Sequence, residues 1–334
     1  MNSAAAKLLV VPALAIILIA VALLPADEPL AAVKPRLLIA FCSHRDRPAF
    51  VNIYFYEHDG IGQGRIIGSI PTTEETADYH PSLTPRGLVC AHASKRVGGH
   101  AGQINLWDVK AKKALARPAF NEGFGARVEP AISGTDLLAY SAWERSGGAG
   151  GWDIVVYDTK SEKQIDLPGL NGQFDEREAS LSKDGRYLAF VSNRPGGKGS
   201  SDIYLYDRKA AALVPLPGLN SPQRELNPSL SADGRFLAFV SDRPGGAGGK
   251  DVYLYDRTKE QLLPLPGLNS ASHEQTPALS PDGRYLVFVS ERISGAGERD
   301  IYLYDRERQK LLPTPGLNSK QEDFDPSIAD WSGQ

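Results

Sequence analysis

A 49-residue repeat constrains this chain more than any other feature of its sequence. Segments of the form Asp-Ile-Tyr-Leu-Tyr-Asp begin at Asp153, Asp202, Asp251 and Asp300, and weaker copies begin at Asn52 and Gln103. Two further motifs, Ser-x-Asp-Gly-Arg and Leu-Pro-Gly-Leu-Asn, recur at the same spacing. One structural unit is therefore used six times, and neighbouring units must cover each other's apolar faces.

Each unit contains four short strand-like segments and no helical period. Asp184-Gly185 supplies the positive φ that a tight hairpin between the first two strands requires. The second strand, such as Tyr187-Leu188-Ala189-Phe190-Val191, is apolar on both faces and must be covered on both sides. The fourth strand carries Pro215 and Pro217, which only an edge strand tolerates. The sequence therefore predicts an all-β, six-bladed propeller of four-stranded blades.

The repeat also sets the blade boundaries. Blade 1 comprises residues 35–72 and 325–331, and blades 2 to 6 comprise residues 78–121, 127–170, 176–219, 225–268 and 274–317. Unit 1 begins at its second strand, whereas an extra first strand, Asp325 to Asp330, follows unit 6. We therefore expect the carboxyl-terminal strand to become the innermost strand of blade 1 and to close the ring.

These motifs resemble the WD-like propeller repeats of the TolB type. The pattern stands in order in unit 6, as Pro277 to Gly283, Ser290-Glu291-Arg292 and Asp300-Ile301-Tyr302. The resemblance covers about residues 35–334 and implies a periplasmic, non-catalytic propeller that binds other proteins of the cell envelope. We expect the propeller alone, without the amino-terminal domain of TolB, because few residues separate Ala26 from Arg36.

The amino terminus carries an export signal. Leu8 to Leu24 form an uncharged apolar run behind Lys7. Residues 1–26 are predicted to be a signal peptide, and the alternative is an uncleaved membrane anchor, since 17 residues lie at the lower limit for spanning a bilayer. In either case we expect residues 27–334 to be exported to the periplasm or cell envelope as a monomer. Any membrane contact is expected only through the amino-terminal segment, residues 8–24.

The net charge argues against one class of partner, and the two cysteines have a structural interpretation. The chain has 37 basic and 40 acidic residues, a net charge of −3, which argues against nucleic acid as a partner. Cys42 and Cys90 each lie in an apolar, strand-like run. We expect both to be buried free thiols.

Two series of six residues map to one mouth of the central channel, where the loops before each first strand and after each second strand meet. At the start of the innermost strands stand His80, Glu129, Glu178, Asn227, Thr276 and Asp325. Two residues upstream stand Asp78, Arg127, Glu176, Glu225, Glu274 and Asp323. Eight of these twelve residues are acidic, so we expect carboxylates to converge on the channel axis.

An acidic channel mouth would focus a negative potential and hold Ca²⁺ or a basic peptide segment. The alternative interpretation is that these are solvated loop charges that bind nothing. The predicted function is an exported, non-catalytic scaffold that binds a protein or peptide partner in the envelope, and Ca²⁺ in the channel mouth is the cofactor that this hypothesis allows.

Other recurrent features have structural interpretations. An arginine ends each second strand, at Arg45, Arg96, Arg145, Arg194, Arg243 and Arg292, and is predicted to pair within its own blade. Glycine-rich loops such as residues 244–250 lack phosphate-loop spacing and are predicted to be rim loops. Trp143, beside Trp152 in blade 3, is either an exposed aromatic contact or a packed side chain.

Histidines give the second functional hypothesis. His44, His80 and His100 map to the same rim, so a transition-metal site between blades 1 and 2 would make the protein a metal-dependent carbohydrate lyase. The sequence carries no His-Glu-x-x-His spacing, and no Gly-x-Ser-x-Gly segment for a serine hydrolase. The binding scaffold is therefore the preferred hypothesis.

Overall fold

The computed structural model describes residues 36–72, 76–96, 102–116, 125–143 and 151–332. Twenty-four strands in these ranges form six four-stranded antiparallel sheets, and the innermost strands contact one another in cyclic order. The six-bladed propeller predicted from the repeat is confirmed. Within the described ranges, no helix is both long enough and apolar enough to cross a bilayer. The predicted signal peptide or anchor, residues 1–26, lies outside these ranges.

The strands follow the repeat from blade to blade. Blade 1 contains β1 (Leu37–Ser43), β2 (Asn52–His58), β3 (Gly64–Ser69) and, as its innermost strand, β24 (Asp323–Asp330). Blade 2 contains β4 (Thr76–Leu83), β5 (Val89–Arg96), β6 (Gly102–Asp108) and β7 (Lys113–Ala114), and blade 3 contains β8 (Arg127–Ile132), β9 (Leu137–Trp143), β10 (Trp152–Asp158) and β11 (Lys163–Ile165). Blade 4 contains β12 (Glu176–Leu181), β13 (Tyr187–Ser192), β14 (Asp202–Asp207) and β15 (Ala212–Val214). Blade 5 contains β16 (Glu225–Leu230), β17 (Phe236–Ser241), β18 (Asp251–Asp256) and β19 (Gln261–Leu263), and blade 6 contains β20 (Glu274–Leu279), β21 (Tyr285–Ser290), β22 (Asp300–Asp305) and β23 (Lys310–Leu312).

The carboxyl-terminal strand closes the ring. β24 pairs antiparallel with β1, with Ile328 opposite Ile39. Just beyond β24, the backbone N–H of Trp331 donates to the carbonyl of Arg36 at 2.8 Å. The first and last described segments therefore form one sheet, as the strand count predicted.

The Ser-x-Asp-Gly-Arg motif builds the hairpin between the first two strands. In blade 4 the Ser182 hydroxyl donates to Asp184 at 2.7 Å, and Gly185 takes the left-handed φ of 66° that the turn needs. Arg186 then forms an ion pair with Asp207, at the end of the third strand, at 2.7 Å. The motif thus joins the first three strands of a blade.

The remaining motifs connect neighbouring blades and hold the backbone of the third strand. The Tyr206 hydroxyl of blade 4 donates to the Pro168 carbonyl of blade 3 at 2.8 Å. Asn171, the last residue of a Leu-Pro-Gly-Leu-Asn motif, exchanges two hydrogen bonds with the backbone of Ile154. Equivalent tyrosine bonds join Tyr255 to Pro217 and Tyr304 to Pro266.

The core lies between adjacent blades. Second-strand side chains such as Leu188 and Phe190 are fully buried, and each such burial contributes about 1.5–3 kcal/mol. Cys42 and Cys90 are also buried and are free thiols, as predicted. Burial raises the pKa of both thiols, so they are inert.

Candidate functional site at the channel mouth

Every innermost strand bends at the same point of the repeat. In β12, for example, the pairing register with β13 shifts between Arg177 and Ser180, and the residue at the bulge, Glu178, has a left-handed φ of 56°. Left-handed φ is uncommon outside glycine and marks a local constraint. The six equivalent residues, with φ of 42° to 56°, are called the mouth ring here: His80, Glu129, Glu178, Asn227, Thr276 and Asp325.

Contacts between successive blades bring several mouth-ring residues together. The Glu129 carboxylate accepts from the backbone N–H of Glu178 at 3.2 Å, and the Glu178 carboxylate accepts from that of Asn227 at 2.6 Å. Across the closure between blades 1 and 2, Asp325 Oδ2 lies 3.6 Å from His80 Nε2. These contacts link Glu129, Glu178 and Asn227 in one group and His80 with Asp325 in another.

The carboxyl groups of the mouth ring differ in charge because their surroundings differ. Burial favours the neutral form of Glu129, but Arg177, 2.6 Å away, outweighs burial and lowers its pKa. Burial and the neighbouring charge of Glu129 raise the pKa of Glu178 to about 7. Burial also raises the pKa of Asp325, and His80 opposes this shift. The ring thus holds one firmly ionised carboxylate, Glu129. The ionised forms of Glu178 and Asp325 would be stabilised by a nearby cation.

The upstream acidic series lies inside the blades, which corrects the expectation that it faces the channel. Four of its five acidic side chains are fully buried. Each of the four forms an ion pair with the arginine that ends the second strand of its blade. The pairs are Glu176 with Arg194 at 3.0 Å, Glu225 with Arg243 at 2.9 Å, Glu274 with Arg292 at 3.3 Å and Asp323 with Arg45 at 2.8 Å.

Blade 2 has an acidic residue at the same position with different neighbours. Asp78 is 3% exposed, accepts a hydrogen bond from the Ser94 hydroxyl and lies 3.8 Å from His92 Nε2. Burial raises the pKa of Asp78 to about 6 and lowers that of His92 to about 4. Asp78 is therefore also a blade residue, so all five acidic residues of the upstream series are buried.

The predicted role of the arginines within their own blades is confirmed for Arg45, Arg194, Arg243 and Arg292. Their partner is the acidic residue of the first strand rather than the residue that opens the third. The latter, such as Asp202, accepts from loop N–H groups, including that of Gly199 at 3.1 Å. The glycine-rich loop is thus anchored by a carboxylate. Arg145 lies outside the described residues.

A second ring, two residues beyond the mouth ring along the innermost strands, was not identified from the sequence. The Ser82 hydroxyl accepts from the N–H of Ile132 in the next blade at 3.1 Å, and the Ser180 hydroxyl accepts from that of Leu230 at 2.9 Å. These serines line a cavity of about 90 Å³ on the channel axis. The recurrence of serine at positions 82, 180, 229 and 327 was the available signal.

The histidines of the second hypothesis lie in separate surroundings. His80 faces Asp325, whereas the His44 ring packs on Phe324 with centroids 5.8 Å apart. His100 lies outside the described residues. Across the described ranges, no group of three or more His, Cys, Asp or Glu residues is placed to hold a metal ion.

The fold defines a class of protein, the six-bladed β-propeller, whose innermost strands surround a central channel. No protein-family model matches the sequence, and no curated protein matches it. Among solved structures, TolB from Acinetobacter baumannii is similar over 89% of this chain and 67% of its own, at 20% identity and a TM-score of 0.63.

Two further structures are similar over 89% of this chain. A putative TolB from Agrobacterium tumefaciens matches over 94% of its own chain, with 18% identity and a TM-score of 0.53. Hydrazine synthase from Kuenenia stuttgartiensis matches over 47% of its own chain, with 12% identity and a TM-score of 0.59. The chain therefore has a TolB-type propeller fold, and enzymes and other proteins share that architecture.

Proposed function

We propose that the protein is an exported, non-catalytic scaffold whose mouth ring binds a segment of a partner protein in the cell envelope. One observation carries this proposal. Six left-handed residues occupy equivalent bulges of the innermost strands, and three of them carry carboxyl groups that are partly exposed, with Asp325 19% and Glu129 16% exposed.

The electrostatics favour a cationic ligand at this position. Glu178 and Asp325 have raised pKa values, so a partner's positive charge would draw both groups into the ionised form and gain the interaction energy of each. A lysine or arginine side chain reaches into a narrow mouth on a flexible stem and keeps its hydrogen bonds there. The likeness to TolB structures and the apolar amino-terminal run support an envelope location.

Ca²⁺ is the second ligand proposed for the ring. The Glu129 carboxylate already accepts from Arg177, the Ser141 hydroxyl and a backbone N–H, which leaves few free oxygens for a cation that takes six to eight. A basic segment is therefore the preferred ligand. A thermal shift at millimolar Ca²⁺ tests the alternative, because a ligand that binds the folded state alone raises the melting temperature.

The test of the main proposal is affinity capture from the envelope fraction of the source organism. The wild-type protein is compared with a Glu178→Gln, Asp325→Asn variant, which removes the charges and keeps the shapes. The matched control is Glu162→Gln, Glu260→Gln, which changes two exposed carboxylates in outer turns. We expect a partner that is held by the wild type and the control and is lost by the ring variant. A partner held equally by all three would contradict the proposal.

A further inference from the structure

Blade 3 differs from blades 4 to 6 at three rim positions next to the mouth ring. Strand register and the 49-residue spacing make Trp143, Trp152 and Phe174 equivalent to one polar set in each of the other blades. These sets are Asn193, Ser201 and Gln223 in blade 4, Asp242, Lys250 and Ser272 in blade 5, and Glu291, Arg299 and Gln321 in blade 6. Three polar positions have thus become aromatic at one site, which we call the aromatic patch.

The aromatic patch is exposed. Trp143 is 39% exposed and Phe174 is 37% exposed, although large apolar side chains in this fold are otherwise mostly buried. Trp143 and Trp152 lie with their ring centroids 5.4 Å apart at an interplanar angle of 55°. Exposed aromatic side chains such as Trp143 and Phe174, with a half-buried tryptophan packed beside them, are typical of sites where one protein anchors another.

The patch is held in place by its surroundings. The Asp175 carboxylate, next to Phe174, accepts from the backbone N–H of Trp152 at 3.0 Å. The Trp143 ring lies against Gly151, where a Cβ would stand only 2.7 Å from the ring. Glycine at position 151 therefore lets the indole lie flat on the backbone. A preorganised aromatic surface loses little conformational entropy when a partner binds.

The patch already binds one cation from within the chain. The Arg177 guanidinium lies 4.4 Å from the centre of the Trp152 ring and pairs with Glu129 of the mouth ring at 2.6 Å. This arrangement connects the aromatic patch directly to the carboxylates at the channel. It also shows which ligand chemistry the two surfaces accept together, a guanidinium or ammonium group held between an aromatic face and a carboxylate.

We infer that the aromatic patch and the mouth ring form one site, which takes an extended partner segment with an aromatic or bulky apolar anchor beside arginine or lysine. The anchor packs on Trp143 and Phe174, and the basic side chain reaches Glu178 and Asp325. Charge complementarity selects a basic segment, because Arg177 is already neutralised by Glu129 and Asp175 adds another carboxylate beside the patch. This inference rests on the proposed function and identifies the chemistry of the partner.

The test uses labelled synthetic peptides and fluorescence anisotropy with the whole protein. One peptide carries tryptophan flanked by arginines, the second tryptophan flanked by glutamates, and the third serine flanked by arginines. We expect the first to bind at least tenfold more tightly than the other two, and its affinity to fall as salt is added, because exposed charges are screened.

Two variants separate the patch from the ring. Trp143→Asn, Phe174→Gln installs the blade 4 residues at the exposed positions and leaves Trp152 and Arg177 in place. We expect it to weaken the first peptide tenfold or more, as loss of interface anchors does. The matched control is Ile293→Ser, since Ile293 is fully exposed on a loop after a second strand. We expect no change in affinity for this control, and melting curves check that all variants are folded.

The outcomes separate binding at the aromatic patch from binding at the mouth ring alone. Unchanged binding by the patch variant overturns this inference, while loss of binding in Glu178→Gln, Asp325→Asn would still support the ring as a peptide site. Equal affinity for all three peptides, or no binding of any, also overturns it. Binding of a chitin oligosaccharide in place of the peptides, abolished by the patch variant, would identify a carbohydrate platform and overturn it as well.

Discussion

The Arg194 guanidinium joins two blades, because it donates to the Glu176 carboxylate of blade 4 at 3.0 Å and to the carbonyl oxygen of Leu170 in blade 3. It also lies 5.2 Å from the centre of the Phe190 ring and 5.1 Å from that of Tyr204. A fully buried carboxylate, an aromatic pair and a neighbouring blade are thus held by one side chain. The same contacts recur in blades 1, 5 and 6, where Arg45, Arg243 and Arg292 each donate to a leucine carbonyl of the preceding blade.

Replacement of this arginine is expected to be strongly destabilising. Arg194→Met leaves Glu176 buried without its cation, and breaking a buried pair in this way costs about 3–5 kcal/mol. The control is Arg224→Met, because Arg224 is 50% exposed and its pair with Asp242 contributes less than about 1 kcal/mol. Urea unfolding gives both values. Similar small losses for the two variants would contradict the linking role.

Removal of residues 325–334 is expected to destabilise the whole ring. These residues include most of β24, in which Ile328 and Ala329 are at most 5% exposed, and without them β1 loses its inner neighbour. We expect a lower melting temperature and a broader transition, because closure makes the blades unfold together. Removal of residues 333–334 alone is the control. Unchanged thermal unfolding after the longer deletion would contradict this account.

The blades were predictable because each motif has a local physical cause that recurs. Asp184-Gly185 forms a hairpin turn, and the strand that carries prolines must lie at the outer edge of the blade. The extra strand after unit 6 can fill only one position, the innermost strand that unit 1 lacks. None of these arguments needs a long-range contact beyond the repeat itself. The same spacing picks out the six residues that share a left-handed φ.

The direction of each acidic side chain was not predictable from the sequence. Glu176 and Glu178 are two residues apart and would share a face of a regular strand. The bulge after Arg177 breaks that alternation, so Glu176 pairs with Arg194 inside the blade and Glu178 accepts from the Asn227 N–H of the next blade. No glycine marks this left-handed position. The pairing of Arg194 with Glu176 was hidden for the same reason, since Asp202 was equally plausible by spacing.

A groove between blades 2 and 3 gives a prediction in the stabilising direction. At the equivalent boundary of blades 4 and 5, Arg257 lies 4.1 Å from the Tyr187 ring centre. Blade 3 has Thr159 at the arginine position and blade 2 has Val89 at the ring position, and a groove of about 540 Å³ lies there. The missing side chains account for the groove.

The groove can be filled with the residues of the other blades. Val89→Tyr together with Thr159→Arg is expected to raise stability by about 1 kcal/mol more than the two single changes combined, because the ring and the guanidinium stack only when both are present. A double-mutant cycle by urea unfolding measures this coupling. Strict additivity of the two changes would show that the groove does not accept the stacked pair.

The carboxyl groups of the mouth ring are expected to make the free energy of unfolding depend on pH. The pKa of Glu178 is raised from its ordinary value of 4.5 to about 7, so between these pH values the folded protein holds this proton more tightly than the unfolded chain. Stability from this group is therefore present at low pH and is lost as the pH rises to 7. The full shift corresponds to at most about 3 kcal/mol, and water at the channel mouth reduces it.

Glu178→Gln removes this titration. We expect the variant to gain stability over the wild type at pH 8 and to match it near pH 4.5, as measured by urea unfolding at both values. Glu129→Gln is the matched comparison on the same ring and should behave oppositely, because the pKa of Glu129 is lowered by Arg177 and its ionised form stabilises the fold at neutral pH. Parallel pH profiles for the wild type and Glu178→Gln would show that Glu178 is ordinarily ionised, and the ring would then carry its full negative charge without a ligand.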